Sequence, residues 1–182
     1  MHIEFEGKLP VIDKKAYCAD GARIIGDVEI NEFASVWYNS VVRGDVSYIR
    51  IGRYSNIQDN SVLHVADDKP CLVGDYVTVG HNVVLHACEV KNHCLIGMSA
   101  TVMDGAVIGE GSIVAAGTVV TAGMKVPPNS LVAGVPGKII KDVADKRESI
   151  HAQAIKYKTL WTKRYGLLPD GGGEEYGGEK II

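Results

Sequence analysis

The stretch Ile96-Gly97-Met98-Ser99-Ala100-Thr101-Val102-Met103-Asp104-Gly105-Ala106-Val107-Ile108-Gly109-Glu110-Gly111-Ser112-Ile113-Val114-Ala115-Ala116-Gly117-Thr118-Val119-Val120 sets an aliphatic residue at 96, 102, 108, 114 and 120. An amphipathic helix repeats its apolar face every 3.6 residues and a half-buried strand every 2, so neither carries a step of six. A short strand and a turn in every six residues do carry it, with the aliphatic side chain pointing inward each time. The same phase runs outward from this stretch. Upstream it passes through Ile25, Ile30, Val36, Val42, then Ile51, Ile57, Leu63, then Val73, Val79, Leu85 and Val90; downstream it takes in Val126 and Val132. The step shortens at Ile25–Ile30 and Leu85–Val90 and stretches at Val42–Ile51 and Leu63–Val73. A small residue often follows the aliphatic one, as at Gly52, Gly74, Gly97, Gly109 and Ala115.

Composition agrees with a mainly β chain. Val and Ile supply 40 of the 182 residues against 2 Phe, and β-branched side chains favour strands. The 21 glycines suit many tight turns. With 19 Lys+Arg, 22 Asp+Glu and a net charge of −3, no basic surplus exists to neutralise phosphates, which excludes nucleic acid as a partner. No apolar run approaches the roughly 20 residues that cross a bilayer. The acidic start, Met1-His2-Ile3-Glu4-Phe5-Glu6, lacks the apolar segment of a secretory leader. The expectation is a cytoplasmic protein without membrane association, with Cys18, Cys71, Cys88 and Cys94 as reduced thiols.

The repeat resembles that of the hexapeptide-repeat proteins, whose chain winds as a left-handed parallel β-helix of triangular cross-section. The resemblance implies three hexads per coil, with residues about 18 apart stacked in neighbouring coils roughly 4.8 Å away. Residues 1–140 are then the β-helix, of about six coils. Residues 141–165 are expected as a C-terminal α-helix packed on the prism, since Val143, Ile150, Ala154, Tyr157 and Trp161 recur at helical spacing. The Gly-rich segment 166–182 reads as a flexible tail.

On this coil map three of the six histidines become informative. His64 follows Leu63 and His86 follows Leu85, both the third aliphatic of their coil, so the two imidazoles stack in one column. Such a pair suits joint coordination of a metal. Arg43, after Val42, extends the column one coil earlier. His81 lies two residues past Val79 on a neighbouring face, out of easy reach within one prism. A trimer of prisms packed side by side would bring a neighbour's His81 across the gap.

The segments Val42-Arg43-Gly44-Asp45, Asn56-Ile57-Gln58-Asp59, Leu63-His64-Val65, Val79-Gly80-His81 and Val84-Leu85-His86 resemble the signature segments of the gamma-class carbonic anhydrases. That resemblance implies reversible hydration of CO2 to bicarbonate by a zinc-bound hydroxide at the interfaces of a homotrimer. It makes His64, His81 and His86 the metal ligands, two from one subunit and one from the next. It assigns Gln58 to the metal-bound water and Arg43 with Asp45 to a buried interfacial ion pair, with Asp59 also engaging the Arg. It places Tyr157 of the C-terminal helix near the pocket. Three neutral imidazoles leave Zn²⁺ an open position, the arrangement of a catalytic site, and Fe²⁺ or Co²⁺ accept the same donors.

Two features depart from the family. Val46 stands where its best-known members carry a glutamate, and Val65-Ala66-Asp67-Asp68-Lys69-Pro70 is too short for their acidic loop. The proton route is therefore open, with Asp67 and Asp68 as the nearest carboxylates in sequence. Two other functions share this fold. One is a hexapeptide acyltransferase using coenzyme A, a class in which a segment like Val135-Pro136-Gly137-Lys138 also recurs near the last coil, although three clustered histidines argue against a lone general base. The other is a weakly active binding or assembly subunit.

Overall fold

The computed structural model describes residues 1–178. The chain forms a parallel β-solenoid in which seven strands, from Tyr17–Cys18 to Ser130–Ala133, stack in parallel along one face. Stacking therefore begins ahead of Ile25 and gives one coil more than the hexads alone suggest. The other two faces form a single sheet, because the strand Val41–Ile51 pairs with Val62–His64 at one end and Cys71–Val73 at the other. The stretched step at Val42–Ile51 is thus a strand that runs on through a corner.

Register follows the hexad phase. Ile57 pairs with Val79 and Val79 with Ile96; Leu63 pairs with Leu85; Val73 pairs with Val90. These side chains fill the axis of the prism, and Ile57, Leu63, Val79, Leu85 and Ile96 are wholly buried. Each contributes about 1.5–3 kcal/mol of transfer free energy. Cys71, Cys88 and Cys94 are free thiols in the same core, where they act as small apolar fillers.

The corners need residues with positive φ. Asn39, Asn60 and Asn82 meet that need at one corner, with φ of 59°, 60° and 57°. Elsewhere Phe33, Tyr54, Tyr76 and His93 adopt φ of 59°, 58°, 55° and 53°, which is unfavourable for bulky residues by roughly 1–3 kcal/mol each. Their rings compensate by stacking at successive centroid distances of 4.9 Å.

Helix α1 spans Arg147–Thr159 and continues in a π-helical turn over Leu160–Arg164. It starts later than expected: residues 141–142 belong to the strand Lys138–Asp142, which pairs antiparallel with Ser130–Ala133, and Ala144–Lys146 form a 3-10 turn. The expected apolar face is the buried one: Val143, Ile150, Ala154, Tyr157 and Trp161 are all covered. Trp161 stacks on Tyr17, and Tyr157 meets Trp37 edge-on, each at 5.6 Å.

Residues 166–178 form no strand, yet they lie against the rest of the chain. Tyr76 donates its hydroxyl hydrogen to Glu174, and the Glu174 backbone N–H donates to the Tyr54 hydroxyl. Residues 179–182 of the expected tail lie outside the described residues. Among those described, no helix is long and apolar enough to cross a membrane.

Candidate metal centre

Parallel pairing sets Arg43 beside His64 and His64 beside His86, so the column read from the hexads exists. The facing atoms, His64 Nδ1 and His86 Nε2, are 3.2 Å apart. Each ring has a carboxylate behind it. His64 Nε2 lies 3.1 Å from Asp45 Oδ1, and His86 Nδ1 lies 2.6 Å from Asp104 Oδ1. A carboxylate can only accept, so the outer nitrogens are the ones that donate, and two neutral imidazoles would then turn both inner lone pairs toward each other. Two lone pairs at this distance are satisfied by a shared proton or by a metal ion. Tetrahedral Zn²⁺ with Zn–N bonds of 2.0–2.1 Å sets its ligand nitrogens about 3.3 Å apart, and the pair matches that spacing.

A second imidazole pair in the same chain shows why this matters. His93 Nε2 and His151 Nδ1 are also 3.2 Å apart, but their outer contacts differ. His151 Nε2 faces the acceptor Glu174, whereas His93 Nδ1 faces the donor Arg147 at 3.5 Å. One N–H therefore fits between them, and the chain of hydrogen bonds closes without a cation. Burial and the Arg147 charge also push the His93 pKa down. The same separation carries a different chemistry because the outer partners differ.

His81 belongs to the other half of the constellation. It follows Thr78–Val79 on the seven-strand face, and its Nδ1 is 2.9 Å from Asp59 Oδ2. With Gln58, Gln153 and Tyr157 it lines a shallow cleft between the prism and α1. Gln58 is buried, and its amide donates to Asn56 Oδ1 at 3.0 Å. Burial raises the Tyr157 pKa and the Asp59 charge adds to that, while a hydrogen bond with Gln58 works against both. All three candidate ligands thus have an imidazole nitrogen on a carboxylate, the arrangement that fixes tautomer and ring direction in metal sites. Within one chain, no three His, Cys, Asp or Glu side chains among the described residues are grouped to hold a metal.

Arg43 is ion-paired with Asp45, and its side chain is 43% exposed, so its own chain does not bury it. The expected contact from Asp59 is not made within the chain, because Asp59 is engaged by His81. Burial raises the Asp45 pKa, but hydrogen bonds from the Val46 N–H, His64 and Arg43 outweigh it and hold the carboxyl below its ordinary value. Asp67 and Asp68 are exposed in a tight turn closed by Ala66 and Lys69. Asp104 was not among the residues singled out from the sequence. Pairing of Leu85 with Val102 puts Met103, not Asp104, one coil beyond His86, so Asp104 reaches the ring from the turn that follows and spacing alone does not point to it.

The family described as Bacterial transferase hexapeptide (six repeats) matches residues 87–122. A protein of Methanocaldococcus jannaschii named "Probable carbonic anhydrase" is 51% identical over 151 residues, covering 82% of this chain and 95% of that one. The mitochondrial Gamma carbonic anhydrase 1 of Arabidopsis thaliana is 39% identical over 160 residues, covering 84% of this chain and 58% of that one. The crystal structure of a hexapeptide transferase family protein from Anaplasma phagocytophilum superposes with a TM-score of 0.85 at 40% identity. That alignment covers 92% of this chain and 98% of the other.

Proposed function

The chain belongs to the gamma-class carbonic anhydrases, the hexapeptide-repeat enzymes of CO2 hydration, and from that membership we propose that it interconverts CO2 and bicarbonate at zinc sites shared between subunits of a homotrimer. The observation that carries this reading is the close approach of His64 Nδ1 and His86 Nε2, each ring with its own carboxylate behind it. These two histidines, with His81 of a neighbouring subunit, would hold the metal. Bound zinc lowers the pKa of a coordinated water to about 7, which makes a nucleophile available at neutral pH. Fe²⁺ or Co²⁺ would serve the same donor set.

The chain's own residues supply the rest. Asp45, Asp59 and Asp104 keep the imidazoles in the ligating tautomer. Gln58, braced by Asn56, hydrogen-bonds the attacking water or a CO2 oxygen from the cleft it shares with His81 and Tyr157. Tyr157 stays protonated at neutral pH, since its pKa is raised, and so offers a hydroxyl donor to bicarbonate. Asp45 links Arg43 to His64, so subunit contact and ligand orientation share one carboxylate. With Val46 apolar and Asp67 and Asp68 in a solvated turn, protons leave through buffer.

Elemental analysis of protein purified without chelators, followed by stopped-flow CO2 hydration, tests the reading. About one metal per subunit with hydration activity is expected. Metal-free protein that transfers acetyl groups from acetyl-coenzyme A would make it an acyltransferase. A metal-replete trimer without hydration activity would make it an assembly subunit.

A further inference from the structure

We infer that Asp104 is a positioning residue that keeps the His64–His86 pair open for a metal by fixing the tautomer of His86; the inference rests on the proposed zinc site. Its carboxylate lies 2.6 Å from His86 Nδ1, so the hydrogen sits on that nitrogen and the Nε2 lone pair faces His64. Remove the acceptor, and nothing holds the hydrogen at Nδ1. It moves to Nε2, where it donates to the waiting lone pair of His64 Nδ1, and the pair closes on itself. The chain already contains that closed form: His93 and His151 sit at the same 3.2 Å with one N–H between them, because a donor rather than an acceptor lies behind His93. Metal would then have to break an imidazole–imidazole hydrogen bond before binding.

The position suits such a role. Asp104 sits in the turn after Thr101–Val102, one coil beyond Val84–His86, and its side chain is 40% exposed. Its contribution to the core is therefore small, and its one side-chain partner is the candidate ligand. Asp45 acts similarly on His64 but also binds Arg43, so Asp104 alone separates ligand orientation from subunit contact.

The test compares wild type with Asp104→Asn, which keeps the shape but can turn an amide N–H toward Nδ1 and impose the opposite tautomer. Zinc affinity, measured by chelator competition on the full trimer, should fall about 10- to 100-fold, and Asp104→Glu should recover most of it. Nitrogen-15 spectra of metal-free protein should show hydrogen on Nδ1 of His86 in wild type and on Nε2 in Asp104→Asn. A folded Asp104→Asn variant within twofold of wild-type affinity overturns the inference, as does a wild-type His86 carrying its hydrogen on Nε2. If instead wild type binds no zinc while its His86 carries the Nδ1 hydrogen, the zinc reading fails and the tautomer assignment stands.

Discussion

Two inactive variants of this chain should restore activity to each other when mixed. In one chain His64 and His86 share a column, while His81 lies on a different face and pairs with Asp59. A trimer with cyclic symmetry repeats one interface three times, each using His64 and His86 from one subunit and His81 from the next. A trimer of His64→Ala chains lacks a ligand at every site, as does a trimer of His81→Ala chains. In a random equal mixture, a site is complete when the chain giving His64 is the His81→Ala variant and its neighbour is the His64→Ala variant. Each condition holds half the time, so about a quarter of all sites are rebuilt. Stopped-flow CO2 hydration and zinc content of co-refolded trimers should both return to about that fraction. Subunit exchange is verified by mass tags, and each variant alone is the control. If exchange is complete and neither signal rises above the controls, the three ligands come from one chain and the shared site is wrong.

Other consequences are equally concrete. Arg43→Ala leaves Asp45 without its cationic partner, and because the Arg43 side chain is half open within its own chain, the loss should appear as trimer dissociation with zinc release in sedimentation. An intact, metal-replete trimer would argue against an interfacial Arg43. With Asp45 and Asp104 engaged by His64 and His86 and a valine at position 46, turnover at fixed pH should rise with imidazole buffer concentration; a flat response would mean that an internal shuttle exists, with Asp67 and Asp68 next to be substituted. Leu85→Ala empties a wholly buried position between Leu63 and Val102 and should cost about 2–5 kcal/mol in urea unfolding. A cost below 1 kcal/mol would mean that the axis of the prism collapses around the gap.

The repeat of six, read from aliphatic residues, determined the short strand and turn in each hexad, and with the three hexads per coil that the family resemblance implies it put Arg43, His64 and His86 in one column. It could do so because each coil repeats the same short unit, so sequence spacing converts directly into spatial register. The apolar face of α1 and the π-helical turn after it was legible from helical spacing, at Ile150, Ala154, Tyr157 and Trp161. Where the chain leaves the repeat, spacing stops mapping to position. Residues 141–142, expected at the start of the helix, instead extend the strand Lys138–Asp142 along the free edge left by Ser130–Ala133, because an open strand edge offers hydrogen bonds that local propensity does not register. The partners behind each imidazole are also a tertiary matter. Asp104 behind His86 and Asp59 behind His81 depend on the side-chain directions at two corners, and a carboxylate there accepts a hydrogen bond whereas Arg147 behind His93 donates one. Sequence named the histidines, but only the folded chain decides which nitrogen carries the hydrogen, because hydrogen bonding from the outer side sets the tautomer and the tautomer sets which pair is left with two facing lone pairs.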